Sequence, residues 1–320
     1  MDKVILEKTG FQHLNPEQFR DEEIILRDGR KATIWVDSDS GHGILDPEYW
    51  VGNDYYEETY REQFSAKPDG KNVGPEDHLA IFKDLNKKQF SQFEKYLNDE
   101  ATVLEVGCSF GGIMRQVAES GVAECHAVEP NKEDAGFVEK LIPKIKLYSD
   151  SFEKVDLPKG FYDLVVSFEV LEHVVSPKKF LEKTFCVLKQ GGRVNFEVPN
   201  HRAALLRYYQ NSGYNRFYYH KAHIHYFTSE SLSKLFRLCG FEGQAKSFSM
   251  YPFFNHVFWH FNRGPQASFE DAFTTPQPAL GKLKVSQEIN DFFVRVECQY
   301  EDMINRNEVG DCLLYQGQKK

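Results

Sequence analysis

The sequence predicts an α/β protein whose core is a doubly wound, mostly parallel sheet. Short apolar runs alternate with helical patterns along residues 76–250, which is the rhythm of strand–helix–strand units. The first buried run, Thr102–Val106, leads into a turn with the spacing G-x-x-x-G-G from Gly107 to Gly112. A chain of 320 residues is long enough to bury a large core around such a sheet.

Composition argues against several classes of function. The formal net charge is −9 and the pI is about 5.7, which disfavours a broad surface for nucleic acids or anionic membranes. Six cysteines without a C-x-x-C pair disfavour a zinc knuckle and a disulfide framework. The N-terminus lacks the apolar region of a signal peptide, and no apolar run could span a bilayer. The sequence therefore predicts a soluble, cytoplasmic protein with no nucleic-acid or membrane partner.

The turn after the first strand predicts a ligand site. A strand, a glycine-rich turn and a helix N-terminus together let backbone approach a ligand closely. The spacing differs from the G-x-G-x-x-G of dinucleotide sites, and the Lys-Ser/Thr ending of a P-loop is absent from the sequence. Glu105 lies one residue before the end of the strand, where a carboxylate would repel a pyrophosphate and attract a cation or hydroxyl groups.

Two stretches carry a resemblance to a known family. L-E-V-G-C-S-F-G-G, residues 104–112, resembles motif I of the class I S-adenosylmethionine-dependent methyltransferases. D-L-V-V-S-F-E-V-L-E-H-V, residues 163–174, resembles the motif that follows their fourth strand. The resemblance covers about residues 78–250 and the terminal strand. It implies a Rossmann-like fold of seven strands, S-adenosylmethionine as cofactor and S-adenosylhomocysteine as product.

Candidate cofactor-binding residues follow the ends of successive strands. Glu129 ends the second strand, where a carboxylate can accept two hydrogen bonds from a ribose diol, a device that nicotinamide-binding folds share. The resemblance implies that Asp150 meets the adenine amino group and that Phe152 stacks on the ring. Phe168 and Glu169 lie at the carboxyl end of the fourth strand, where open α/β sheets bind ligands. The full predicted set is Glu105, Gly107, Ser109, Gly111, Glu129, Pro130, Asp150, Ser151, Phe152, Phe168 and Glu169, with Tyr56 and Tyr60 from the N-terminal segment.

Residues 1–75 are predicted to form an N-terminal extension with its own character. The pattern of residues 24–36 predicts a β-hairpin around an Asp-Gly turn. The aromatic segment at residues 49–64 is predicted to be helical in its second half, where Tyr56 and Tyr60 share one face. That face either packs in the core or forms a lid whose tyrosines close over the cofactor.

Residues 199–227 are rich in histidine, arginine and tyrosine and follow the fifth strand, so we interpret them as an acceptor-binding cap. Alternatively, their side chains hydrogen-bond the cap's own backbone. His223 and His225 share one face of an extended segment and form a candidate metal pair, but no third ligand stands at a suitable spacing, so no metal is predicted. The predicted acceptor-binding residues are His201, Arg202, Arg207, Tyr219, His220 and Tyr226.

Methyl transfer from a sulfonium is an in-line displacement, in which the protein mainly positions the nucleophile and excludes water. A hydroxyl acceptor benefits from a base, and histidine suits that role, whereas a carboxylate acceptor needs none. The candidate bases are, in order, His223, His173 and His225, with Glu169 as a further candidate. The pattern from Val170 onward predicts the start of a helix, which would carry His173 on its first turn.

Residues 251–305 are predicted to be a helical insertion before the last strand, within a methyltransferase domain formed by residues 76–320. A helix over residues 283–303 carries apolar side chains at spacings of three and four. The insertion is predicted to enlarge the acceptor pocket or to form a homodimer contact through this helix. Its apolar set is Val285, Ile289, Phe292, Val296, Tyr300 and Met303.

The combined pattern predicts a methyltransferase that acts at oxygen on a small polar metabolite, such as a sugar, a nucleotide sugar or a related natural-product or polysaccharide precursor. The motif combination resembles bacterial methyltransferases of polysaccharide and secondary metabolism. Transfer to nitrogen or to a carboxyl group of a small molecule stays open. Two other classes stay open as well: a nicotinamide-dependent oxidoreductase, which the glycine spacing disfavours, and a binding protein without turnover.

Overall fold

A computed structural model describes residues 1–52, 55–56, 73–209, 211–266, 272–273, 275–281 and 283–320. The strands are β1 (Phe19–Ile25), β2 (Lys31–Asp37), β3 (Gly43–Leu45), β4 (Thr102–Val106), β5 (Glu124–Val128), β6 (Lys146–Tyr148), β7 (Tyr162–Phe168), β8 (Leu188–Pro199), β9 (His225–Tyr226), β10 (Phe241–Phe248) and β11 (Cys312–Lys319). The helices are α1 (Lys3–Thr9), α2 (Pro75–Ile81), α3 (Lys83–Ser91), α4 (Gly112–Glu119), α5 (Lys132–Leu141), α6 (Pro177–Val187), α7 (Ala204–Arg207), α8 (Ser212–Tyr218), α9 (Ser229–Leu238), α10 (Phe253–Asn262) and α11 (Lys284–Arg306).

The larger sheet has seven strands in the order β10-β11-β8-β7-β4-β5-β6. The strands from β4 to β8 pair in parallel, whereas β11 runs antiparallel to both β8 and β10. The predicted fold class, α/β with a doubly wound, mostly parallel seven-stranded sheet, is confirmed. Because the chain order reverses beside β4, the carboxyl ends of β4 and β7 flank a crevice of the kind in which open sheets bind ligands.

Both faces of this sheet are covered, which explains why β4 is buried along its whole length. Successive side chains of a strand point to opposite faces. Val103 therefore joins the apolar cluster that contains Met114 and Val117 of α4, whereas Leu104 joins the cluster that contains Phe180 of α6 and Phe196 of β8.

The smaller sheet is antiparallel and joins two distant parts of the chain. The hairpin of β1 and β2 continues through β3 to β9, so that Ile44 pairs with His225 and Gly43 with Tyr226. An apolar cluster beside this sheet combines residues of the hairpin, such as Ile34, with tyrosines of the histidine-rich segment. The N-terminal extension and the predicted cap therefore share one sheet.

Three local predictions were wrong. The apolar pattern of residues 77–97 predicts one continuous helix, but Phe82 (φ −91°, ψ 7°) separates α2 from α3. The helix predicted from Val170 is a series of turns, and α6 begins only at Pro177, whose fixed φ suits the first helical position. The Gly191-Gly192 pair predicts the end of that helix, but α6 stops at Val187 and β8 begins directly after it.

The chain between β10 and β11 contains α10 and α11. The apolar face predicted for α11 is mostly exposed: Val285 and Phe292 are each 55% exposed, and Ile289 and Met303 each 41%. The side that contacts the rest of the protein instead buries Ser286 and Ile304. Among the described helices, none combines the length and the apolar composition that crossing a bilayer requires.

Candidate functional site

A cavity of about 620 Å³ lies at the carboxyl ends of β4, β5 and β7. Among the residues predicted to bind the cofactor, those that line it are Gly107, Ser109, Glu129, Pro130, Ser151, Phe152, Phe168, Glu169 and Tyr56. Of the four candidate catalytic groups, Glu169 and His173 line it as well. Tyr60 lies outside the described residues, so its predicted role stays a prediction.

The floor of the cavity is the turn after β4, which requires glycine for two reasons. Gly107 has φ +80°, a conformation that side chains with a Cβ rarely adopt. A Cβ at this position would also stand 2.4 Å from Cγ2 of Val170, which itself lines the cavity. Gly111 (φ +76°) caps α4 but does not line the cavity, so it shapes the turn from behind.

Glu129 fixes the β5 side of the cavity. Its Oε2 accepts a hydrogen bond from the Ser109 N–H (2.8 Å), and its Oε1 accepts one from the Asn131 N–H (3.0 Å). These two bonds hold the carboxylate, which is only 6% exposed, between the turns that follow β4 and β5. A carboxylate fixed in this way presents the geometry that a ribose diol requires.

Two predicted acidic ligands lie elsewhere. Glu105 is buried beneath the turn, and burial followed by the charge of Glu129 raises its pKa to about 8. Asp150 does not line the cavity, because the Ser151 N–H (2.7 Å) and the Lys154 ammonium (3.3 Å) hold its carboxylate. The hydrogen bond from Ser151 lowers the pKa of Asp150.

Phe152 forms an apolar wall of the cavity, and its ring lies 4.6 Å from that of Phe180. The Lys183 ammonium lies 5.0 Å from the Phe152 ring and donates to the Phe152 carbonyl, which fixes this segment against α6. A flat ring bound beside Phe152 would be packed on a rigid surface.

His173 is held at the opposite end of the cavity. Its Nδ1 lies 2.8 Å from the Ala222 carbonyl oxygen, so Nδ1 carries the proton and donates it. The Tyr56 hydroxyl donates to the same carbonyl (3.0 Å) and lies 3.3 Å from Nδ1. The His173 Nε2 lies 3.6 Å from Oε1 of Glu172. Burial lowers the pKa of His173 to about 4, so the imidazole is neutral at pH 7.

His223, the first-ranked base in the sequence prediction, lies behind His173 rather than at the cavity. The two rings are 4.8 Å apart, and the His223 Nε2 lies 3.8 Å from Oε1 of Glu172. Glu172 is fully buried, which raises its pKa to about 8. His223 therefore lies behind the cavity-lining His173 and does not line the cavity itself. These contacts do not test the prediction that the protein uses no metal.

His225 is also away from the cavity. Its Nδ1 lies 3.3 Å from Nε2 of His42, and its Nε2 lies 3.4 Å from the Val175 carbonyl oxygen. Burial lowers the pKa of His225 to about 3. Strand pairing between β9 and β3 explains this position, because it turns the ring toward the N-terminal segment.

The side chains predicted to bind the acceptor do not line the cavity. His201 contacts the Gly41 carbonyl (3.0 Å) and the Tyr219 hydroxyl (3.2 Å), and Arg202 donates to the Ser40 carbonyl (3.3 Å). These contacts hold the cap against the N-terminal sheet. They agree in part with the alternative interpretation, in which the cap side chains form structural hydrogen bonds rather than bind the acceptor. The remaining predicted acceptor residues are Arg207, which bonds His201, and the buried Tyr219, His220 and Tyr226.

Sequence reasoning missed part of the cavity wall. Lys8 of α1 and Lys179 of α6 both line it, as do Val51 and Ser176. The end of α1 packs directly on α6, since a Cβ on Gly10 would stand 2.4 Å from Cβ of Lys178. The Ser176-Pro177 pair indicates the start of a helix in the sequence. Nothing in the sequence links that helix start to the first ten residues.

Comparison with known proteins matches these features to a family. The sequence model of a methyltransferase domain matches residues 80–246, just over half of the chain. The chain is 32% identical over 115 residues to a ubiquinone biosynthesis O-methyltransferase of Rickettsia conorii, covering 34% of this chain and 39% of the relative. It is 28% identical over 120 residues to the protein of the same name in Bradyrhizobium diazoefficiens, covering 36% and 47%. The chain thus spans less than half the length of these curated relatives.

A solved structure shares the fold. It is the complex between the Haloferax volcanii Trm112 methyltransferase activator and a provisionally assigned methyltransferase, with a TM-score of 0.50 and 13% identity over 75% of this chain and 93% of that chain. The family match, the strand order and the turn after β4 agree. The chain belongs to the class I S-adenosylmethionine-dependent methyltransferases, and S-adenosylmethionine is its cofactor.

Proposed function

We propose that this protein transfers the methyl group of S-adenosylmethionine to a hydroxyl oxygen of a small polar metabolite. One observation carries the proposal: a single cavity joins the turn at Gly107 and the carboxylate of Glu129 to the imidazole of His173. The first two residues suit the cofactor, and the third suits an acceptor that must lose a proton.

The reaction asks little of the protein beyond placement. The sulfonium is already activated by its positive charge, so the methyl carbon needs only an acceptor oxygen in line with the breaking sulfur–carbon bond. The electron pair of that bond stays on sulfur, and the new bond forms between oxygen and carbon. Val170 and Val174, which line the cavity, would help to exclude competing water.

His173 is the best-placed candidate base, because it is the only one of the three predicted histidines that reaches the cavity. With Nδ1–H donated to the Ala222 carbonyl, Nε2 is the nitrogen able to take a proton. Its pKa of about 4 means that the imidazole is neutral, with Nε2 unprotonated, at pH 7.

The rim of the cavity favours an acceptor that carries negative charge. Lys8 and Lys179 line it from two different helices, and neither forms a salt bridge with another described residue. In a chain with a net charge of −9, two ammonium groups at one opening suit a phosphate or carboxylate. We therefore propose a nucleotide sugar, or a similarly hydroxylated acidic precursor, as the acceptor class.

The decisive experiment is methylation of an acceptor panel followed by mass spectrometry. The purified protein would be incubated with S-adenosylmethionine and a panel of acceptors. The panel contains nucleotide sugars with their corresponding free sugars, as well as amines and carboxylic acids. We expect a mass increase of one methyl group on a hydroxylated acidic compound. Methylation confined to amines would instead support the N-methyltransferase alternative, and esters would support the carboxyl alternative. Protection by NAD(P)H but not by S-adenosylhomocysteine in a thermal shift assay would support an oxidoreductase.

The other predictions about partners stay predictions. The exposed stripe of Val285, Ile289 and Phe292 on α11 supports the proposed homodimer contact, which light scattering at several protein concentrations would test. The net negative charge supports the expectation of a small-molecule rather than a nucleic-acid partner.

A further inference from the structure

An acidic group stands behind the cavity wall where β7 ends. Glu169 lines the cavity and has a left-handed backbone conformation (φ +54°), which is uncommon for a residue with a side chain. One carboxylate oxygen of Glu169, one of Glu197 on β8 and Sγ of Cys312 on β11 lie within 4.8 Å of one another. Glu197 is 1% exposed, so these groups are hidden from solvent except through the cavity.

The charged and titratable groups that face Glu169 are almost all acidic. They come from the following turn (Glu172), from β11 and the residue before it (Cys312, Asp311) and from β8 (Glu197). The charge of Glu169 also contributes to the raised pKa of Tyr251, which lies after β10. Among the described residues, no lysine or arginine lies within 4 Å of the Glu169 carboxylate, which instead accepts a hydrogen bond from the Cys312 thiol (3.5 Å).

The nearest amide donor and the nearest positive charge act on Glu197 rather than on Glu169. Gln89 of α3 donates to its Oε1 (2.7 Å), and the charge of Lys88 lowers its pKa somewhat. Lys88 itself is bound to Glu301 (2.6 Å). The second oxygen of Glu197 and both oxygens of Glu172 have no hydrogen-bond partner among the described residues.

Carboxylates this close, in a water-poor setting, cannot all be charged. Burial, followed by like-charge repulsion, raises the pKa of Glu169 well above its usual range, and Glu197 and Glu172 are each raised to about 8. Without a cation in the cavity, the group therefore holds protons at neutral pH.

Residues that suit the cofactor share one cavity with Glu169, so the bound cofactor would supply such a cation. Glu129 follows β5, the turn at Gly107 follows β4 and Glu169 follows β7. These three strands are neighbours in the order β5-β4-β7. S-adenosylmethionine with its ribose at Glu129 and its chain across the Gly107 turn would have its sulfonium on the side of the cavity that Glu169 lines. A positive charge beside a carboxyl group favours its ionised form.

We propose that Glu169 is protonated in the unliganded protein and releases this proton to solvent when S-adenosylmethionine binds, so that its carboxylate pairs with the sulfonium charge. When the methyl group has left, sulfur becomes a neutral thioether, and Glu169 takes up a proton from solvent again. The amino and carboxylate groups are the same in donor and product, so only the sulfur charge separates them. Glu169 is thus a specificity-determining residue that distinguishes charged donor from neutral product. This inference depends on the cofactor and not on which acceptor is methylated.

The test is isothermal titration calorimetry in two buffers with different ionisation enthalpies, which reports the protons released on binding. The wild-type protein would be titrated at about pH 6.5, where the ligand amino groups stay protonated. The ligands are S-adenosylmethionine, the unreactive amine analogue sinefungin and S-adenosylhomocysteine. We expect about 0.5 to 1 proton released with each of the two charged ligands and about none with S-adenosylhomocysteine. Equal release with all three ligands would overturn the proposal, and this arm needs no variant.

A variant pair locates the proton. Glu169→Gln should abolish the difference between the charged and neutral ligands, whereas Glu153→Gln, an exposed carboxylate on the same cavity but outside the acidic group, should retain it. For the wild type, Kd for S-adenosylmethionine should fall by up to about tenfold per pH unit as pH rises toward the pKa of Glu169, while Kd for S-adenosylhomocysteine stays level. Proton release that persists in Glu169→Gln would assign it to another group and refute the role of Glu169.

Discussion

Two regions of this chain are rich in titratable side chains, and they differ in what the fold does with them. The carboxyl edge of the seven-stranded sheet presents Glu129, Glu169 and His173 to the cavity. The histidine-rich segment turns His201 and His225 inward, against the N-terminal sheet. In the sequence the second region looks the richer in chemistry, yet the first one forms the site.

The difference teaches that the position of a side chain on the sheet, rather than its residue type alone, decides whether it reaches the cavity. The end of a parallel strand at a point where strand order reverses cannot be covered by its own connections, so side chains there face a crevice. A histidine in a short antiparallel strand is covered by whatever pairs with that strand, and β3 covers His225. The predictions below test this division, from the largest expected effect to the smallest.

The largest effect is expected for His173→Asn. Asparagine can keep a donor near the Ala222 carbonyl but cannot accept the acceptor's proton as imidazole can, so kcat should fall by about 10²- to 10⁴-fold. Kd for S-adenosylmethionine should change little. Single-turnover kinetics together with calorimetry separate the two effects. An unchanged kcat would show that the acceptor needs no base, as for a carboxylate.

The pH profile sharpens the same point. With a pKa of about 4, His173 stays neutral down to about pH 5, so kcat of folded protein should be level from pH 8 to about pH 5 and fall only below that. A histidine with an ordinary pKa would instead give a fall near pH 6.5. An acid limb at that higher value would point to a base other than His173.

Next in size is Gly107→Ala, which should weaken S-adenosylmethionine binding by about 10- to 100-fold. The new Cβ is disfavoured by the positive φ and forces Val170 into the cavity. Gly121→Ala is the matched control, because Gly121 has φ +82° but nothing within 4 Å of an added Cβ. Calorimetry on both variants should show loss of affinity in the first only; equal losses would mean that backbone strain, rather than the filled turn, matters.

A structural role predicts a different outcome for His201→Asn. The free energy of unfolding should fall by about 1–3 kcal/mol, because partners such as the Gly41 carbonyl lose a buried bond. The kcat of the folded fraction should stay at the wild-type value. Denaturant unfolding and activity assays on the same samples check this, and a large loss of kcat without loss of stability would restore His201 to the acceptor site.

The pH dependence of this loss has a definite sign. Burial holds the pKa of His201 at about 3 in the folded protein, whereas an unfolded histidine titrates near 6.5. The unfolded state therefore binds the extra proton first as pH falls, and the contribution of His201 is complete above about pH 6.5 and declines below it. The stability difference between wild type and His201→Asn should shrink between pH 7 and pH 5.

The smallest effect is expected at the rim. Changing Lys8 and Lys179 together to Gln should raise KM for a charged acceptor by about 3- to 10-fold, less at high salt, and leave kcat nearly unchanged. Lys178→Gln serves as control, because Lys178 lies near Glu182 (3.8 Å) and does not line the cavity. Equal KM values for the double variant and the control would remove the argument for an acidic acceptor.

Much of the fold could be predicted because its signals are local. The glycine spacing directly follows the apolar run of β4, and the acidic residue Glu129 directly follows β5, so each signal spans only a few residues. Their meaning depends only on strand ends meeting at one edge, which any parallel sheet requires. The same logic explains why Glu129 and Phe152 line the cavity as expected. Asp150, two residues before Phe152, does not line it, because its carboxylate accepts a backbone hydrogen bond that periodicity cannot reveal.

Periodicity predicted helix α11 but not what its apolar face contacts, and the reason is general. An apolar stripe predicts that one face avoids water, but it does not say what covers that face. On this helix the stripe through Ile289 and Phe292 faces outward, and the protein packs against Ser286 and Ile304 instead.

The sequence by itself determined the central sheet, the glycine turn after β4 and the carboxylate that follows β5, because short-range pattern specifies each of them. Tertiary structure alone decided which histidine reaches the cavity and which basic groups border it. His42 meets His225 across 183 residues of chain, and Lys8 joins Lys179 on one cavity although α1 and α6 are far apart in sequence. Contacts of this kind depend on how whole elements dock, and docking is set by the summed packing of many side chains rather than by any local motif.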